Sequence, residues 1–350
     1  MNKILYNRFS KEELKNRLEA ETFRRKTISF YRYFYLDEPN EFRDEIYRAW
    51  DELNCLGRIY IAREGINAQM SVPVHNWVRF ENSLKRWEIL HNIPIKFAVE
   101  DDGKSFYKLT VKVRPKLVAD GLNEHEYDVT NVGRHLEALE FHRLAAQPDT
   151  IVVDMRNHYE SEVGHFEGAI CPDADTFRDE IRMVEEELKE KKDQKILLYC
   201  TGGIRCEKAS AFLRHKGFTD VSQLYGGIIE YAQQIKKANL PSRFIGKNFV
   251  FDVRLGERIS DEIISHCHQC GSPSDTHTNC ANNDCHLLFI QCSVCAGIYN
   301  GCCSNECKTV CLAPDEEKGV YRRNLHEKYS QSKIFRSRLR PDLMKIANGQ

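Results

Sequence analysis

The stretch Lys195-Ile196-Leu197-Leu198-Tyr199-Cys200-Thr201-Gly202-Gly203-Ile204-Arg205 decides the central part of the fold. Its first five residues form a short apolar run that is typical of a buried strand, and the two glycines end that run with a turn. Two comparable runs, Thr150–Asp154 and Val221–Tyr225, lie before and after it. Helical segments at Thr176–Lys192 and Glu207–Lys216 separate the runs. Apolar strands that alternate with helices predict a parallel sheet in an α/β domain.

Cys200 is the residue of this stretch with the clearest chemistry, because reactive groups gather at the carboxyl ends of strands in such sheets. Gly202 and Gly203 allow the backbone N–H groups to turn toward the sulfur, and the positive end of the next helix faces the same point. Arg205 adds a positive charge, so the loop predicts a thiolate nucleophile beside a cradle for an anion. We interpret Cys206 as a small residue of the first helical turn, with a resolving thiol as the alternative. The predicted active-site loop comprises Cys200, Thr201, Gly202, Gly203, Ile204 and Arg205.

An α+β domain is predicted ahead of this sheet. Aromatic and β-branched residues predict strands, Pro39 opens a helix, and Glu64–Asn67 is a turn signal between two short strands. The order β-α-β-β-α-β is typical of a ferredoxin-like or acylphosphatase-like domain. Helices are expected at Lys3–Lys26, Pro39–Asn54, Val74–Leu90 and Asn131–Ala146, and strands at Thr27–Leu36, within 57–72, at Ile95–Val99 and at Phe106–Val113.

Cysteine is concentrated near the carboxyl end, where ten of the 14 cysteines lie between Cys267 and Cys311. In a reducing cytosol this indicates metal binding rather than disulfides, and paired cysteines suit two tetrahedral zinc sites. An iron–sulfur cluster is the less favoured alternative. The simplest assignment pairs the ligands in sequence order, Cys267, Cys270, Cys280 and Cys285 for one site and Cys292, Cys295, Cys302 and Cys307 for the other. An interleaved arrangement is equally allowed, with possible substitution by His266, His268, His277, His286 or, for Cys302, by Cys303.

Composition argues for a cytoplasmic protein that binds neither membrane nor DNA. Hydrophobic residues make up 41% and charged residues 29% of the chain, and no apolar run is long enough to span a bilayer. The N-terminus lacks the apolar core of a signal peptide. The formal net charge is −1, so any RNA binding must come from local patches.

Two basic patches could contact RNA, although a solvated face is the more common explanation for each. The tail Tyr321–Arg340 has seven basic residues against one acidic residue, Glu327. Near the N-terminus, arginines stand close to aromatic residues that could stack a base, although most of these aromatics should serve the core. The residues of this second patch are Arg24, Arg25, Arg32, Arg63 and Arg114 with Phe30, Tyr31 and Tyr33.

The segment 130–240 resembles a rhodanese domain, in which the active-site cysteine carries a persulfide. The matching pieces are Val153-Asp154-Met155-Arg156, the motif from Glu160 to Ala169, the loop from Leu198 to Arg205 and Tyr225-Gly226-Gly227-Ile228. Four residues separate Cys200 from Arg205, whereas related phosphatases have five, so the shorter loop favours sulfur over phosphate. Asp154 and Arg156 are expected to form an ion pair that supports the loop from behind.

The resemblance extends over nearly the whole chain. A domain with Ala62-Arg63-Glu64-Gly65-Ile66-Asn67-Ala68, a rhodanese domain and a cysteine-rich segment together resemble the rhodanese-type tRNA uridine hydroxylases. The expected divisions are a helical extension at 1–26, the acylphosphatase-like domain at 27–120, the rhodanese domain at 130–240, the metal-binding segment at 248–311 and a basic tail at 312–350.

This resemblance implies oxygen-dependent 5-hydroxylation of the wobble uridine, with the anticodon region of tRNA as substrate and molecular oxygen as co-substrate. Cys200 and Arg205 are then the catalytic residues. No motif identifies the electron donor. Two other functions remain open at this point, a persulfide sulfurtransferase and a non-enzymatic module that binds zinc and RNA.

Overall fold

A computed structural model describes residues 9–122, 127–314 and 341–347, together with residues 5 and 7. The basic residues predicted to contact RNA in the tail, from Arg322 to Arg340, lie outside the described residues. No helix in the described part of the chain is long and apolar enough to cross a membrane.

The N-terminal part is an α+β domain, as the element order predicted. Its five-stranded sheet has the order β4-β1-β3-β2-β5, in which β2 and β5 are parallel and the other neighbours are antiparallel. The helical extension is shorter than expected, since its helix ends at Glu19. The elements are α1 (Lys11–Glu19), β1 (Arg25–Tyr33), α2 (Pro39–Asp51), β2 (Leu56–Ala62), β3 (Gly65–Pro73), α3 (Trp77–Leu84), β4 (Lys96–Phe97) and β5 (Leu109–Val113).

One face of this sheet forms the core of the domain. Ile28 and Phe30 of β1 and Met70 of β3 point to that face and are fully buried against α2 and α3. Trp50 of α2 anchors the cluster, and its indole N–H donates a hydrogen bond of 3.1 Å to Ser83 of α3. Because side chains alternate across a strand, the opposite face carries a different set of residues. That opposite face turns toward the second domain.

The second domain is built on a parallel sheet, which confirms the predicted α/β class. Its four strands have the order β6-β10-β9-β7. The segment predicted as one helix over 131–146 begins instead with β6, because this stretch pairs in parallel with β10. The elements are β6 (Arg134–Leu136), α4 (Ala138–Leu144), β7 (Thr150–Asp154), α5 (His158–Ser161), β8 (Gly164–Phe166), α6 (Phe177–Leu188), β9 (Lys195–Tyr199), α7 (Ile204–His215), β10 (Asp220–Leu224) and α8 (Gly227–Lys237).

The cysteine-rich part is joined to the second domain by a three-stranded sheet in the order β12-β11-β8. It continues as a short antiparallel hairpin followed by two helices. Its core consists mainly of cysteines, with Leu287 and Phe289 between them. The elements are β11 (Phe244–Asn248), β12 (Glu257–Arg258), β13 (His277–Asn279), β14 (Leu288–Ile290), α9 (Ser293–Tyr299), α10 (Asn305–Leu312) and α11 (Leu343–Ala347).

Gly227 at the start of α8 fixes the position of the loop that follows β9. The N–H groups of Ile228 and Ile229 donate to the carbonyl oxygens of Cys200 and Thr201, at 3.0 and 3.3 Å. Gly227 has a φ of +68°, and a Cβ atom there would lie 2.6 Å from both of those oxygens. Only glycine therefore allows the amino end of α8 to approach the loop this closely.

The variant Gly227→Ala should lower the free energy of unfolding by about 2–4 kcal/mol, because it combines a left-handed residue with a steric clash. Urea unfolding followed by near-UV circular dichroism measures the change. Gly297→Ala is the matched control, since no atom lies within 4 Å of an added Cβ there. Equal stability of the two variants would show that the loop does not depend on this approach.

Candidate functional site

The loop from Cys200 to Gly203 joins β9 to α7 and holds the cysteine at the amino end of that helix. Gly203 adopts a left-handed conformation with φ of +98° immediately before α7. Its N–H donates to the Cys200 sulfur at 3.1 Å. A Cβ atom at Gly203 would lie 2.8 Å from the Tyr31 hydroxyl of the N-terminal sheet. This glycine is therefore required both for the turn and for the approach of the other domain.

The surroundings of Cys200 stabilise its thiolate. Burial alone would raise the thiol pKa, but the thiol of Cys206, the positive charge of Arg205 and the N–H groups of Arg205 and Cys206 lower the pKa of Cys200 to about 5. The neighbouring Cys206 has its pKa raised well above the usual value by burial and by its hydrogen bond to Cys200. The raised pKa favours the thiol form of Cys206 next to Cys200, which differs from both sequence interpretations of this residue.

Arg205 is held by Glu160 in a bidentate ion pair. Its two terminal nitrogens donate to the two carboxylate oxygens at 2.6 and 2.9 Å, and Glu160 is fully buried. Thr201 contacts the same carboxylate at 3.4 Å. The sequence predicted that the Arg205 guanidinium holds an anion. In the structure its shortest hydrogen bonds go to Glu160, and its positive charge acts on Cys200. Glu160 belongs to the rhodanese motif, but nothing in the sequence identified it as the partner of Arg205.

Asp154 and Arg156 form the expected ion pair behind the loop. Two guanidinium nitrogens donate to the carboxylate at 2.8 and 2.6 Å, and both side chains are fully buried. The Tyr199 hydroxyl also donates to Asp154, at 2.7 Å. Because Tyr199 directly precedes Cys200, this network fixes the end of β9.

A cleft of about 630 Å³ opens over Cys200 and is closed on the other side by the N-terminal sheet. Its size lies within the range of about 300–1,000 Å³ that is common for ligand sites. The loop lines it with Cys200, Thr201, Gly202, Ile204 and Arg205, and the sheet lines it with Ser29, Tyr31, Arg58, Tyr60, Asn67, Gln69 and Lys96. The structure therefore brings the predicted loop residues together with residues of the N-terminal sheet. Of these sheet residues, Tyr31 was the one given a possible functional contact from the sequence.

Lys96 of β4 is a cation in this cleft. Its side chain is 7% exposed, and its ammonium lies 4.4 Å from the centroid of the Tyr31 ring. Burial lowers the pKa of Lys96 to about 8, although the negative charges of Cys200, Glu230 and Glu207 oppose this change. No local pattern marks Lys96, because it becomes important only when the two domains meet.

The first turns of α7 also bind the N-terminal domain. The Tyr31 hydroxyl donates to Glu207 at 2.9 Å, and the buried ammonium of Lys208 lies 3.0 Å from Glu64 and 2.8 Å from Asp120. Glu64 belongs to the turn that sequence analysis read as a family motif. Its structural role is to contact the helix that carries the active-site loop.

Several residues of the predicted RNA patch have structural roles. Phe30 is 1% exposed and belongs to the core, as expected for most of these aromatics. Arg25 is buried and paired with Glu21 at 2.7 Å. Arg32 donates to the carbonyl oxygens of Ile89 and His91. Phe30 and Arg25 therefore serve the domain itself, and Arg32 uses one guanidinium nitrogen in the same way.

The cysteine sulfurs form two groups of four, and the grouping differs from the sequential pairing. Within each group, all ligand atoms lie within 4.8 Å of one another. The hairpin β13–β14 brings the segments on its two sides together, so the first group combines cysteines from before and after the hairpin. The second group combines two cysteines of the hairpin turn with two from the segment that follows. The groups are Cys267, Cys270, Cys292 and Cys295, and Cys280, Cys285, Cys303 and Cys307.

Cys303 takes the position that the sequential assignment gave to Cys302. The sulfur of Cys302 points away and lies 3.4 Å from that of Cys311. None of the four candidate histidines belongs to either group of described residues. His268 instead contacts Glu162 of the second domain at 2.8 Å. The interleaved alternative, with Cys303 as a ligand, is therefore the one that the structure matches.

The sulfur separations fit a single tetrahedral ion in each group. A zinc ion with bonds of about 2.3 Å would place neighbouring sulfurs about 3.8 Å apart. The Cys270–Cys292, Cys285–Cys303 and Cys303–Cys307 separations are 3.7, 3.6 and 3.7 Å. Each group can therefore hold one metal ion with four thiolate ligands.

The low pKa of Cys200 predicts that its thiolate forms near pH 5 and persists at higher pH. Cys206→Ala should move this midpoint upward by about 1–2 pH units, because it removes a hydrogen bond to a charged sulfur. Thiolate absorbance at about 240 nm measures the titration, as the difference between each protein and its Cys200→Ser counterpart. Cys206→Ser keeps a donor and should restore the low midpoint; an unchanged midpoint in Cys206→Ala would contradict the assigned role.

Family models match three consecutive parts of the chain. They are a UPF0176 acylphosphatase like domain at residues 25–117, a rhodanese-like domain at 137–234 and a rhodanase C-terminal region at 245–308.

Curated relatives match almost the full length. A protein of Leptospira interrogans named tRNA uridine(34) hydroxylase is 52% identical over 346 residues, which cover 99% of this chain and 94% of the relative. A protein of the same name from Pectobacterium carotovorum subsp. carotovorum is 54% identical over 320 residues, covering 91% and 90%. These similarities confirm the resemblance seen around Cys200, and the chain belongs to the tRNA uridine(34) hydroxylase family.

Proposed function

We propose that this chain is a cytoplasmic enzyme that hydroxylates C5 of the wobble uridine of tRNA, with Cys200 as its catalytic residue. The observation that carries the proposal is the position of the Cys200 sulfur, which accepts a hydrogen bond from the N–H of Gly203 at the amino end of α7 and lines a cleft between two domains. The names of the full-length relatives supply the substrate, uridine 34 of tRNA. Arg205 acts on the same thiolate through its charge and through its hold on the loop.

Molecular oxygen is the proposed source of the new hydroxyl group. The net change replaces the C5–H bond of uracil by C5–OH with one atom of oxygen, and the second atom leaves as water, which takes two protons and two electrons from an external two-electron reductant. Reaction under ¹⁸O₂ should therefore label the modified nucleoside, whereas H₂¹⁸O should not. Label from water alone would show that molecular oxygen is not the source of the hydroxyl group. The role of Cys200 is tested by the substitution that follows.

Cys200→Ser should abolish 5-hydroxyuridine at the wobble position, because serine cannot supply a thiolate or a persulfide. The measurement is mass spectrometry of tRNA nucleosides from a deletion strain complemented with the wild-type or variant gene. Cys171→Ser is the matched control, since Cys171 is half-buried and lies outside the loop and both sulfur groups. Unaltered wobble uridines in the deletion strain would overturn the proposed function.

Persulfide transfer is the second candidate, because a buried thiolate surrounded by N–H donors also suits a terminal sulfur anion. Thiosulfate-dependent sulfur transfer that requires Cys200, in a protein that leaves the 5-hydroxyuridine level unchanged, would select this function. Hydroxylation with no sulfur transfer would exclude it.

We also propose that the two sulfur groups bind zinc, one ion in each. The support is the donor set of four thiolates and the small core between them, which contains few apolar side chains. Zinc would hold the segment in place, and this segment supports the cleft. His268 contacts Glu162 beside α5, and Phe251 lines the cleft next to Arg205.

Metal content of the purified protein should be about two zinc ions per chain, with one per group of four thiolates. Cys303→Ser should reduce the content to about one ion, because it removes a ligand of the second group. Cys302→Ser is the matched control and should leave the content unchanged. The opposite result, loss with Cys302→Ser alone, would restore the sequential assignment. Elemental analysis by mass spectrometry provides the counts.

A further inference from the structure

The N-terminal five-stranded sheet has one polar face, which lines the cleft across from Cys200. Its other face forms the apolar core of the domain. Strand alternation selects these side chains, and Ser29, Asn67 and Gln69 each lie between two residues that point into the core. Cross-strand pairing then arranges them side by side. The register gives two adjacent rows, one of Lys96, Ser29, Gln69 and Arg58 and one of Tyr31, Asn67 and Tyr60.

The middle of this surface carries two side-chain amides, those of Asn67 and Gln69. Among the described residues, no hydrogen bond involves the side chains of Asn67 or Gln69, and both residues are half-buried in the cleft. Tyr31 is already engaged by Glu207, and its hydroxyl is therefore part of the domain contact. Two neighbouring carboxamides offer both donors and acceptors to a ligand. Buried polar groups are normally hydrogen-bonded, so this surface is suited to a polar ligand.

Lys96 adds an ammonium group, which donates hydrogen bonds but cannot accept them. Its ammonium makes no ion pair or hydrogen bond with any described side chain, and it lies in the same row as Gln69, with Ser29 between them, and in the same cleft as Cys200. Burial disfavours the charged form of Lys96, whereas the negative charges of Cys200, Glu230 and Glu207 favour it. Arg58, at the other end of this row, is exposed, and its guanidinium donates to the carbonyl oxygen of Phe251. A ligand that fills the cleft therefore meets two amides and one buried cation on one wall and Cys200 on the other.

We propose that this sheet face is the uracil-binding wall of the active site. Asn67 and Gln69 hydrogen-bond the edge of the flipped-out base, Tyr60 provides an aromatic surface, and Lys96 donates to the carbonyl oxygen at position 4. This inference rests on the proposed function and specifies the residues that recognise its substrate. An enzyme that modifies a base atom must present that base in a pocket, where its edge is read by hydrogen bonds.

The chemistry of this wall selects uracil over cytosine. Uracil presents a carbonyl oxygen at position 4, which accepts a hydrogen bond from an ammonium group. Cytosine presents an amino group there, which can only donate, and a lysine ammonium cannot accept. The carboxamides fit either base because an amide has both functions. Lys96 is therefore the residue that discriminates, and Asn67 and Gln69 supply affinity.

Binding of anticodon stem–loop RNA to the Cys200→Ser protein, which keeps the cleft but cannot turn over, tests the wall directly. One RNA carries uridine at position 34 and the other an abasic site. The Cys200→Ser protein should bind the uridine RNA at least about 10-fold more tightly, within the range found for base stacking and pairing contacts. Adding Asn67→Ala and Gln69→Ala should remove most of this difference and leave binding of the abasic RNA unchanged.

Comparing both RNAs before and after Asn67→Ala and Gln69→Ala distinguishes loss of base recognition from a general loss of RNA binding. Equal weakening of both RNAs by the two alanine substitutions would overturn the proposal, as would equal binding of both RNAs before those substitutions. Circular dichroism shows whether the substituted sheet remains folded. If the Cys200→Ser protein prefers the uridine RNA but the wild-type protein forms no 5-hydroxyuridine, the proposed function is wrong and the proposed uracil-binding wall is supported.

Lys96→Met tests discrimination between uridine and cytidine at position 34. The unsubstituted wall should prefer uridine by about 10-fold or more, and Lys96→Met should reduce this preference to about 2-fold or less, in keeping with the loss of one charged hydrogen bond. Lys112→Met is the matched control, because Lys112 lies on β5, at the opposite edge of the sheet from β4, and is exposed outside the cleft. Retention of the preference in Lys96→Met would overturn the role of Lys96.

Discussion

Glu160 and Arg205 form a buried bidentate ion pair where the short helix α5 meets the loop after β9. The pair places a guanidinium next to Cys200 and prevents it from turning into solvent. Removing one partner of a buried pair typically costs about 3–5 kcal/mol, because the other charge is left without compensation. The low pKa of Cys200 depends on this arrangement, since Arg205 contributes both its charge and a backbone N–H to the thiolate.

Helix α7 connects the chemistry of the loop to the position of the N-terminal domain. Its amino end stabilises the thiolate, while Glu207 and Lys208 in the next turn bind Tyr31, Glu64 and Asp120. The distance between the two walls of the cleft is thus set by the helix that activates the nucleophile. A rhodanese-like domain alone would present the thiolate without the opposite wall. The N-terminal sheet changes an open sulfur site into a pocket for a planar polar ligand.

The cysteine-rich segment supports this pocket from a third side. Its hairpin brings Cys292 back beside Cys270, so each group of sulfurs ties together two distant parts of the segment. A metal ion bound in this interleaved arrangement would constrain the hairpin more than ions bound to two sequential knuckles. The segment also contacts the second domain through His268 and Glu162, close to the helix that contains Glu160.

Much of this architecture could be predicted because its determinants are local. The strand, the glycine turn and the helix that surround Cys200 are adjacent in sequence, and so the nucleophile, its loop and the parallel sheet were identifiable. The order of elements in the N-terminal domain could also be predicted, from its aromatic and β-branched runs, the proline that opens a helix and the turn signal at Glu64–Asn67. The basic patch of the tail, from Arg322 to Arg340, remains a prediction from sequence alone.

The sequence by itself determined the reactive loop, the class of both domains and the supply of thiolates for metal ions. Tertiary structure alone decided which groups face one another. Glu160 and Arg205 are 45 positions apart, and Lys96 reaches the cleft only through the pairing of β4 with β1. The choice of Cys303 over Cys302, and of a strand over a helix at β6, likewise followed from pairing with distant segments. Contacts between distant residues leave no periodic pattern in the sequence, because packing and strand register create them only when the chain is folded.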